Sequence, residues 1–296
     1  MAIFTGAGVA LITPMKEDLS VNYEKLKELV DFHVENQTDA IVICGTTGEA
    51  ATLSHEEHLE VIKACVDFTK KRIPVIAGTG SNCTKTAIYL SKEAQKRGAD
   101  GLLLSTPYYN KATQNGLKAH FTEVAKATDL PMLLYNIPGR TGVNMAAETS
   151  AALINEVDTI VGIKEASDNV ALAEKIMYLT NGEADLYSGC DDLILPLMAA
   201  GAKGVISVLS HVAPKETHDI AAEFLAGNIS ESRRLQYKYL DLIGKLFCEV
   251  NPIPVKAALN LMGMEVGSLR MPLTEMEPEN KKALKEAMNK VGIHTV

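Results

Sequence analysis

The chain lacks paired cysteines, an excess of basic residues and any long apolar run, and each absence removes a class of protein. Its five cysteines, Cys44, Cys65, Cys83, Cys190 and Cys248, are odd in number and scattered over 296 residues. Without a CxxC pair they predict reduced thiols in an intracellular setting, with no bound metal. The net charge of −8, with no clustered Lys/Arg face, sets aside nucleic acid as a partner. No apolar run approaches the roughly 18 to 20 residues of a membrane span. The amino terminus, Met1-Ala2-Ile3-Phe4-Thr5-Gly6, has no basic leader region, so the expectation is a cytoplasmic chain away from membranes.

Nucleotide and hydrolase signatures are missing too. Gly78-Thr79-Gly80-Ser81-Asn82-Cys83 lacks the third glycine of a dinucleotide fingerprint, and neither a Gly-Lys-Ser/Thr phosphate loop nor a Gly-x-Ser-x-Gly elbow occurs. Nicotinamide and ATP drop out, and no cofactor is expected. His55-Glu56-Glu57-His58 sets two imidazoles one helical turn apart, but the zinc-protease pattern needs a four-residue step. An exposed first helical turn capped by Ser54 fits better.

What the chain does have is apolar residues, 47% of the total, enough for a substantial core. They gather in eight short β-rich runs: Gly8 to Ile12, Ala40 to Cys44, Ile73 to Gly78, Gly101 to Ser105, Met132 to Asn136, Thr159 to Ile163, Asp185 to Ser188 and Gly204 to Val208. Segments of helical period separate most of them, for example Tyr23-Leu26-Leu29-Val30-Phe32-His33. Alternation of this kind demands parallel strands. Eight near-equal units predict an α/β fold, the closed (β/α)8 TIM barrel, in preference to an open doubly wound sheet. From about Ala213 the pattern turns wholly helical, with candidates at Lys215 to Leu225, Ser230 to Phe247, Pro254 to Leu261 and Pro278 to Lys290, Ser230 serving as an N-cap. The expected division is a catalytic barrel over 1–226 and a C-terminal helical appendage over 227–296.

The polar clusters follow the runs, where a barrel builds its active site. Lys164 ends Thr159-Ile160-Val161-Gly162-Ile163. A lysine held in a dry pocket at a strand end loses part of the preference for its ammonium form and can attack a carbonyl. On its own, such a lysine is more often a solvated strand end. Gly45-Thr46-Thr47-Gly48 offers hydroxyls and backbone N–H groups to a carboxylate, or is a glycine turn capping the next helix. Tyr108, Tyr109 and Tyr135 suit proton relay, or amphipathic packing. Arg140, in a Pro138-Gly139-Arg140-Thr141-Gly142 loop too irregular for a helix face, could grip a substrate carboxylate in bidentate fashion or form a structural ion pair.

Taken together, Gly8 to Pro14, Gly45 to Glu49, Tyr108-Tyr109-Asn110, Tyr135 to Gly142, Gly162 to Ala166 and Gly204 to Ser207 resemble the pyruvate-dependent class I aldolases, and within them the dihydrodipicolinate synthase family, over essentially the whole chain. The resemblance implies a lyase of amino-acid biosynthesis, on the diaminopimelate route to lysine. It would join pyruvate to aspartate 4-semialdehyde through a Schiff base on Lys164, without a cofactor. Tyr135 would relay protons, Thr46 would link it to Tyr109, and Thr46 with Thr47 would hold the pyruvate carboxylate. Gly189 and Ile206 would line that pocket, and Arg140 would receive the carboxylate of the semialdehyde. The resemblance also implies a homotetramer, a dimer of dimers, with Tyr109 reaching into a neighbouring subunit. In relatives inhibited by lysine, the effector site uses residues matching His55, His58, Asn82 and Tyr108, and a glutamate where this chain has Thr86. Many relatives have asparagine where this chain has His211.

Rival readings are N-acetylneuraminate lyase or a 2-keto-3-deoxy sugar-acid aldolase, which share the imine lysine, and a keto-acid-binding barrel without turnover. Arg140 favours the synthase branch, because a small semialdehyde bearing its own carboxylate wants a cation where a sugar acid wants hydroxyl partners.

Overall fold

A computed structural model describes residues 2–296. Eight parallel strands close on themselves in sequence order: β1 (Gly6–Ala10), β2 (Ala40–Ile43), β3 (Val75–Gly78), β4 (Gly101–Ser105), β5 (Met132–Asn136), β6 (Ile160–Glu165), β7 (Asp185–Ser188) and β8 (Gly204–Ser207), with β8 pairing back onto β1. Helices cross between them: α1 (Tyr23–Glu35), α2 (His55–Thr69), α3 (Thr84–Lys96), α4 (Gln114–Ala125), the single turn α5 (Pro138–Thr141), α6 (Ala147–Glu156), α7 (Val170–Leu179) and α8 (Ile194–Ala199). After β8 come α9 (Pro214–Leu225), α10 (Ile229–Leu246), α11 (Ile253–Leu261) and α12 (Pro278–Lys290). The TIM barrel with C-terminal helices is the fold the strand and helix periods predict. No helix is long and apolar enough to cross a membrane among the described residues.

Strands covered on both faces must be apolar on both faces, which is why these read as runs rather than alternations. Period-two geometry then sorts the residues. Ala40 and Val42 face the barrel interior with Leu133, Tyr135, Tyr187 and Ile206, whereas Ile41, Ile43, Leu134, Ile163 and Leu186 face the helices. Inside, the Phe4 ring stacks on Tyr187 at 4.3 Å, and the Tyr187 hydroxyl donates to the Phe4 carbonyl. The outer layer is the larger core, and each fully buried Leu or Ile there contributes about 1.5–3 kcal/mol of transfer free energy.

Three local expectations differ from the structure. Ser230 lies inside α10, whose N-cap is Asn228, because the helix starts one residue earlier on apolar Ile229. Arg140 sits on a helical turn rather than an irregular loop, since Pro138 at its first turn fixes φ and Gly142 closes it in the left-handed region. The β6 ladder runs through Lys164 to Glu165, so the lysine belongs to the strand itself.

That last difference matters for register. Met132 pairs with Ile160 but Leu133 with Gly162, so Val161 is an extra residue in β6. Such a bulge re-aims the side chains beyond it. Past it, Tyr135 pairs with Lys164 and Lys164 with Tyr187, all three facing inward. Without the extra residue Ile163 would stand beside Tyr135, and the lysine would follow Asn136 toward the helices.

Candidate active site

Lys164 is 6% exposed at the carboxyl end of β6, and its Nζ lies 4.4 Å from the centre of the Tyr135 ring. Tyr135 is itself 7% exposed. Gly189, just past β7, keeps this space open: a Cβ there would stand 2.5 Å from Ala166 Cβ and 2.9 Å from the Glu165 carbonyl oxygen, closer than any side chain tolerates, and would crowd Lys164 Cε at 3.0 Å. Ile206 on β8 closes the interior layer beneath. Four of the expected residues thus meet at one end of the barrel.

Of these four, Tyr135 also lines a cavity of about 400 Å³, which it shares among others with Thr46, Tyr108 and Arg140 and which extends past His55, His58 and Thr86. Thr46 and Tyr135 share this space. Thr47, behind it, is buried, and its hydroxyl accepts from Asn251 Nδ2 at 2.9 Å. Arg140 is exposed at the cavity, and its Nη2 donates to the Asn251 carbonyl at 3.1 Å. Asn251 therefore joins the threonine turn to the arginine turn.

Tyr109 goes elsewhere. It is 89% exposed with φ +71°, a left-handed backbone rare for an aromatic residue, and does not line the cavity of its own chain. Of the residues matched to an effector site, Tyr108 is 40% exposed and Asn82 accepts from Asn110 Nδ2 through its carbonyl. His55 opens an exposed turn against Tyr89, and Ser54 with Glu57 forms a reciprocal capping box there. His58 departs from the exposed-turn expectation: it is buried, bonded through Nε2 to the Gly78 carbonyl at 2.8 Å, and burial draws its pKa down. No group of three or more His, Cys, Asp or Glu is gathered to hold a metal among the described residues.

Several groups near the site belong to no motif in the sequence. Asp191 is buried, its Oδ2 accepting from Val208 and Leu209 N–H at 2.9 Å each. Burial pushes its carboxyl pKa up, partly offset by those bonds and by the Lys164 ammonium. Cys190, half-buried, donates to Asp168 Oδ1 at 3.0 Å; burial first, and the Asp168 carboxylate second, push its thiol well above the ordinary range and keep it protonated. Lys256 on α11 meets Glu49 in an ion pair whose two side chains are each 1% exposed. A lone lysine in the apolar stretch Pro252 to Leu259 was the available hint.

A buried amine beside a tyrosine, at the carboxyl end of a barrel strand, is the arrangement of a lysine-based barrel lyase of the class I aldolase type. The comparisons with known proteins agree. The profile of the Dihydrodipicolinate synthetase family matches residues 3–291, and the chain belongs to that family. It is 62% identical to the 4-hydroxy-tetrahydrodipicolinate synthase of Lachnoclostridium phytofermentans, over 99% of this chain and 100% of that one. It is 53% identical to the enzyme of the same name from Caldicellulosiruptor bescii, over 99% of each. Among solved structures, dihydrodipicolinate synthase from Aquifex aeolicus superposes with a TM-score of 0.96 at 46% identity, covering 99% of each chain. The Cyanidioschyzon merolae enzyme, solved with lysine bound, gives 0.96 at 43% identity over 99% of this chain and 100% of that one.

Proposed function

We propose that this chain condenses pyruvate with L-aspartate 4-semialdehyde, the reaction of the 4-hydroxy-tetrahydrodipicolinate synthases, in the cytoplasm. The observation that carries the reading is the buried Lys164 amine held 4.4 Å from the centre of the Tyr135 ring. Lys164 attacks the keto carbon of pyruvate and water leaves as the imine forms. The imine draws electrons from the methyl group, which gives up a proton to become an enamine. Tyr135 is the group within reach of the protons that these steps move. The enamine carbon adds to the aldehyde of the second substrate. That substrate's amine then displaces the lysine, closing the ring and freeing the enzyme.

Thr46 and Thr47 receive the pyruvate carboxylate, Gly189 and Ile206 shape its pocket, and Arg140 takes the carboxylate of the semialdehyde as a bidentate pair. Residues 1–226 form the catalytic barrel, and 227–296 are a helical region whose Asn251 and Lys256 reach back into it. The exposed Tyr109 serves a neighbouring subunit in a homotetramer built from two tight dimers. Borohydride trapping with pyruvate, followed by mass mapping, tests the imine: label on Lys164 supports it, and no label at saturating pyruvate refutes it. A coupled assay comparing aldehydes then tests the branch, with turnover of sugar-derived aldehydes above aspartate semialdehyde counting against the synthase.

A further inference from the structure

The Gly45-Thr46-Thr47-Gly48 turn is bracketed by two non-glycine residues in the left-handed region, Cys44 at φ +55° and Glu49 at φ +54°. Backbone strain of this kind persists only where the surroundings over-determine it. The turn is closed from within by Gly48 N–H to the Gly45 carbonyl and Glu49 N–H to the Thr46 carbonyl, at 3.1 Å each. From outside, Thr13 Oγ1 donates to the Gly48 carbonyl at 2.6 Å. The Glu49 carboxylate points into the protein, not the cavity. Its Oε1 accepts from Lys256 Nζ at 2.5 Å and its Oε2 from Arg270 N–H at 2.9 Å, while Lys256 gives a further hydrogen bond to the Ser268 carbonyl at 2.8 Å. Arg270 is fixed in turn by Glu57 and by the Leu19 and Thr52 carbonyls.

Two charges taken wholly out of water add little net stability over an apolar pair of the same shape, so stability does not account for this pair. Its geometry does: every tie on the Glu49 carboxylate comes from the segment 256–270, more than two hundred residues away in sequence, and ends on the residue that finishes the threonine turn. We propose that Lys256 is a positioning residue for the first substrate, fixing Glu49 and through it the orientation of the Thr46 and Thr47 hydroxyls toward the pyruvate carboxylate. Among the described residues, Arg140 bonds neither Glu49 nor Lys256, and its one link to the turn runs through Asn251.

The inference rests on the reading of Thr46 and Thr47 as the carboxylate holders, so the parent protein is first required to trap pyruvate on Lys164. Should the parent fail to trap, the proposed function fails before this inference is reached. Steady-state kinetics of the full-length chain then decide it. In the double variant Lys256→Met with Glu49→Gln, which removes both charges and strands neither, KM for pyruvate rises at least about tenfold, and kcat at saturating pyruvate stays within about threefold. Glu49→Asp, which keeps both charges but shortens the carboxylate arm, raises the same KM about threefold or more and stands in should the neutral pair not fold. A pyruvate KM within about twofold of the parent in whichever variant folds overturns the proposal, whatever its thermal midpoint, because the pair would then be structural alone.

Discussion

Lys164 and Tyr135 are cross-strand partners on β6 and β5, and the amine lies over the face of the phenol ring 4.4 Å from its centre. A cation at that distance from a ring face is attracted to it, so the lysine side chain has a defined seat beside the group proposed to manage its proton. Lys164→Ala removes the nucleophile. The expected result is complete loss of borohydride-trapped pyruvate; labelling at the parental level would mean another amine carries the chemistry.

Arg140 stands at the cavity, held by the Asn251 carbonyl and by no carboxylate in its own chain among the described residues. A guanidinium free of a structural ion pair is available to a substrate. Arg140→Ala is therefore expected to lower kcat/KM for aspartate semialdehyde by about 1.5–3 kcal/mol, roughly ten- to hundredfold, while pyruvate still traps on Lys164. Equal loss of trapping and turnover would assign Arg140 to the first step or to the fold.

Tyr109, almost fully exposed, makes a shared site testable by complementation. Tyr109→Phe and Lys164→Ala chains, each inactive alone, are expected to regain activity on co-refolding, since a mixed dimer holds one site with both residues intact. Verified hybrids that stay inactive would show that the tyrosine works within its own chain or not at all.

His33 and His211 form a buried edge-to-face pair at 5.8 Å. The Ile12 N–H donates to His211 Nε2 and Nδ1 bonds the Val208 carbonyl, so this ring is neutral with its proton on Nδ1. Burial lowers its pKa from 6.5 to about 4 and that of His33 well below its ordinary value, with His211 adding to the effect on His33. Both folded values lie under the unfolded one, so between about pH 6.5 and pH 4 the unfolded chain binds more protons and stability falls as pH falls. The stabilisation is fully present above about pH 6.5. Thermal midpoints across that window should drop for the parent and drop less for His211→Asn, which removes one of the two titrating rings; parallel curves would rule the pair out as the cause.

Thr86 lines the cavity, and the family resemblance implies a glutamate at its position in relatives inhibited by lysine. An effector ammonium without that carboxylate loses a charge-assisted hydrogen bond of about 1.5–3 kcal/mol, roughly ten- to hundredfold in affinity. Lysine is expected to inhibit this chain weakly or not at all. Initial rates against lysine at saturating pyruvate decide it, and substantial inhibition below about 1 mM, a binding free energy beyond about −4 kcal/mol, would refute the reading of Thr86.

Much of the barrel was legible because its strands are runs of apolar residues separated by helical periods, and β4, β5 and β7 fall on the residues those runs mark. The clusters at the strand ends pointed to the candidate site for the same topological reason. What escaped were features that depend on a single residue's offset or on distant partners. An apolar run stops at the first charged residue, so it ends the strand before Lys164, and it cannot register the extra Val161. Glu49 reads as the tail of a polar turn, and Lys256 as one charge in a helix, until the fold brings them together across 207 positions. Asn251, beside Pro252, reads as punctuation.

That asparagine has a consequence for anyone redesigning the enzyme for other aldehydes. One residue grips Thr47 with its amide and Arg140 with its carbonyl, so the two halves of the pocket are mechanically geared. Exchanging Arg140 for a residue that suits an uncharged acceptor removes the hydrogen bond on the Asn251 carbonyl, next to the amide that holds Thr47, the residue proposed to bind the keto acid. Selectivity for the aldehyde and affinity for the keto acid would then drift together along an engineered lineage, and new specificities would come more readily from variants in which that gear is replaced than from changes at position 140 alone.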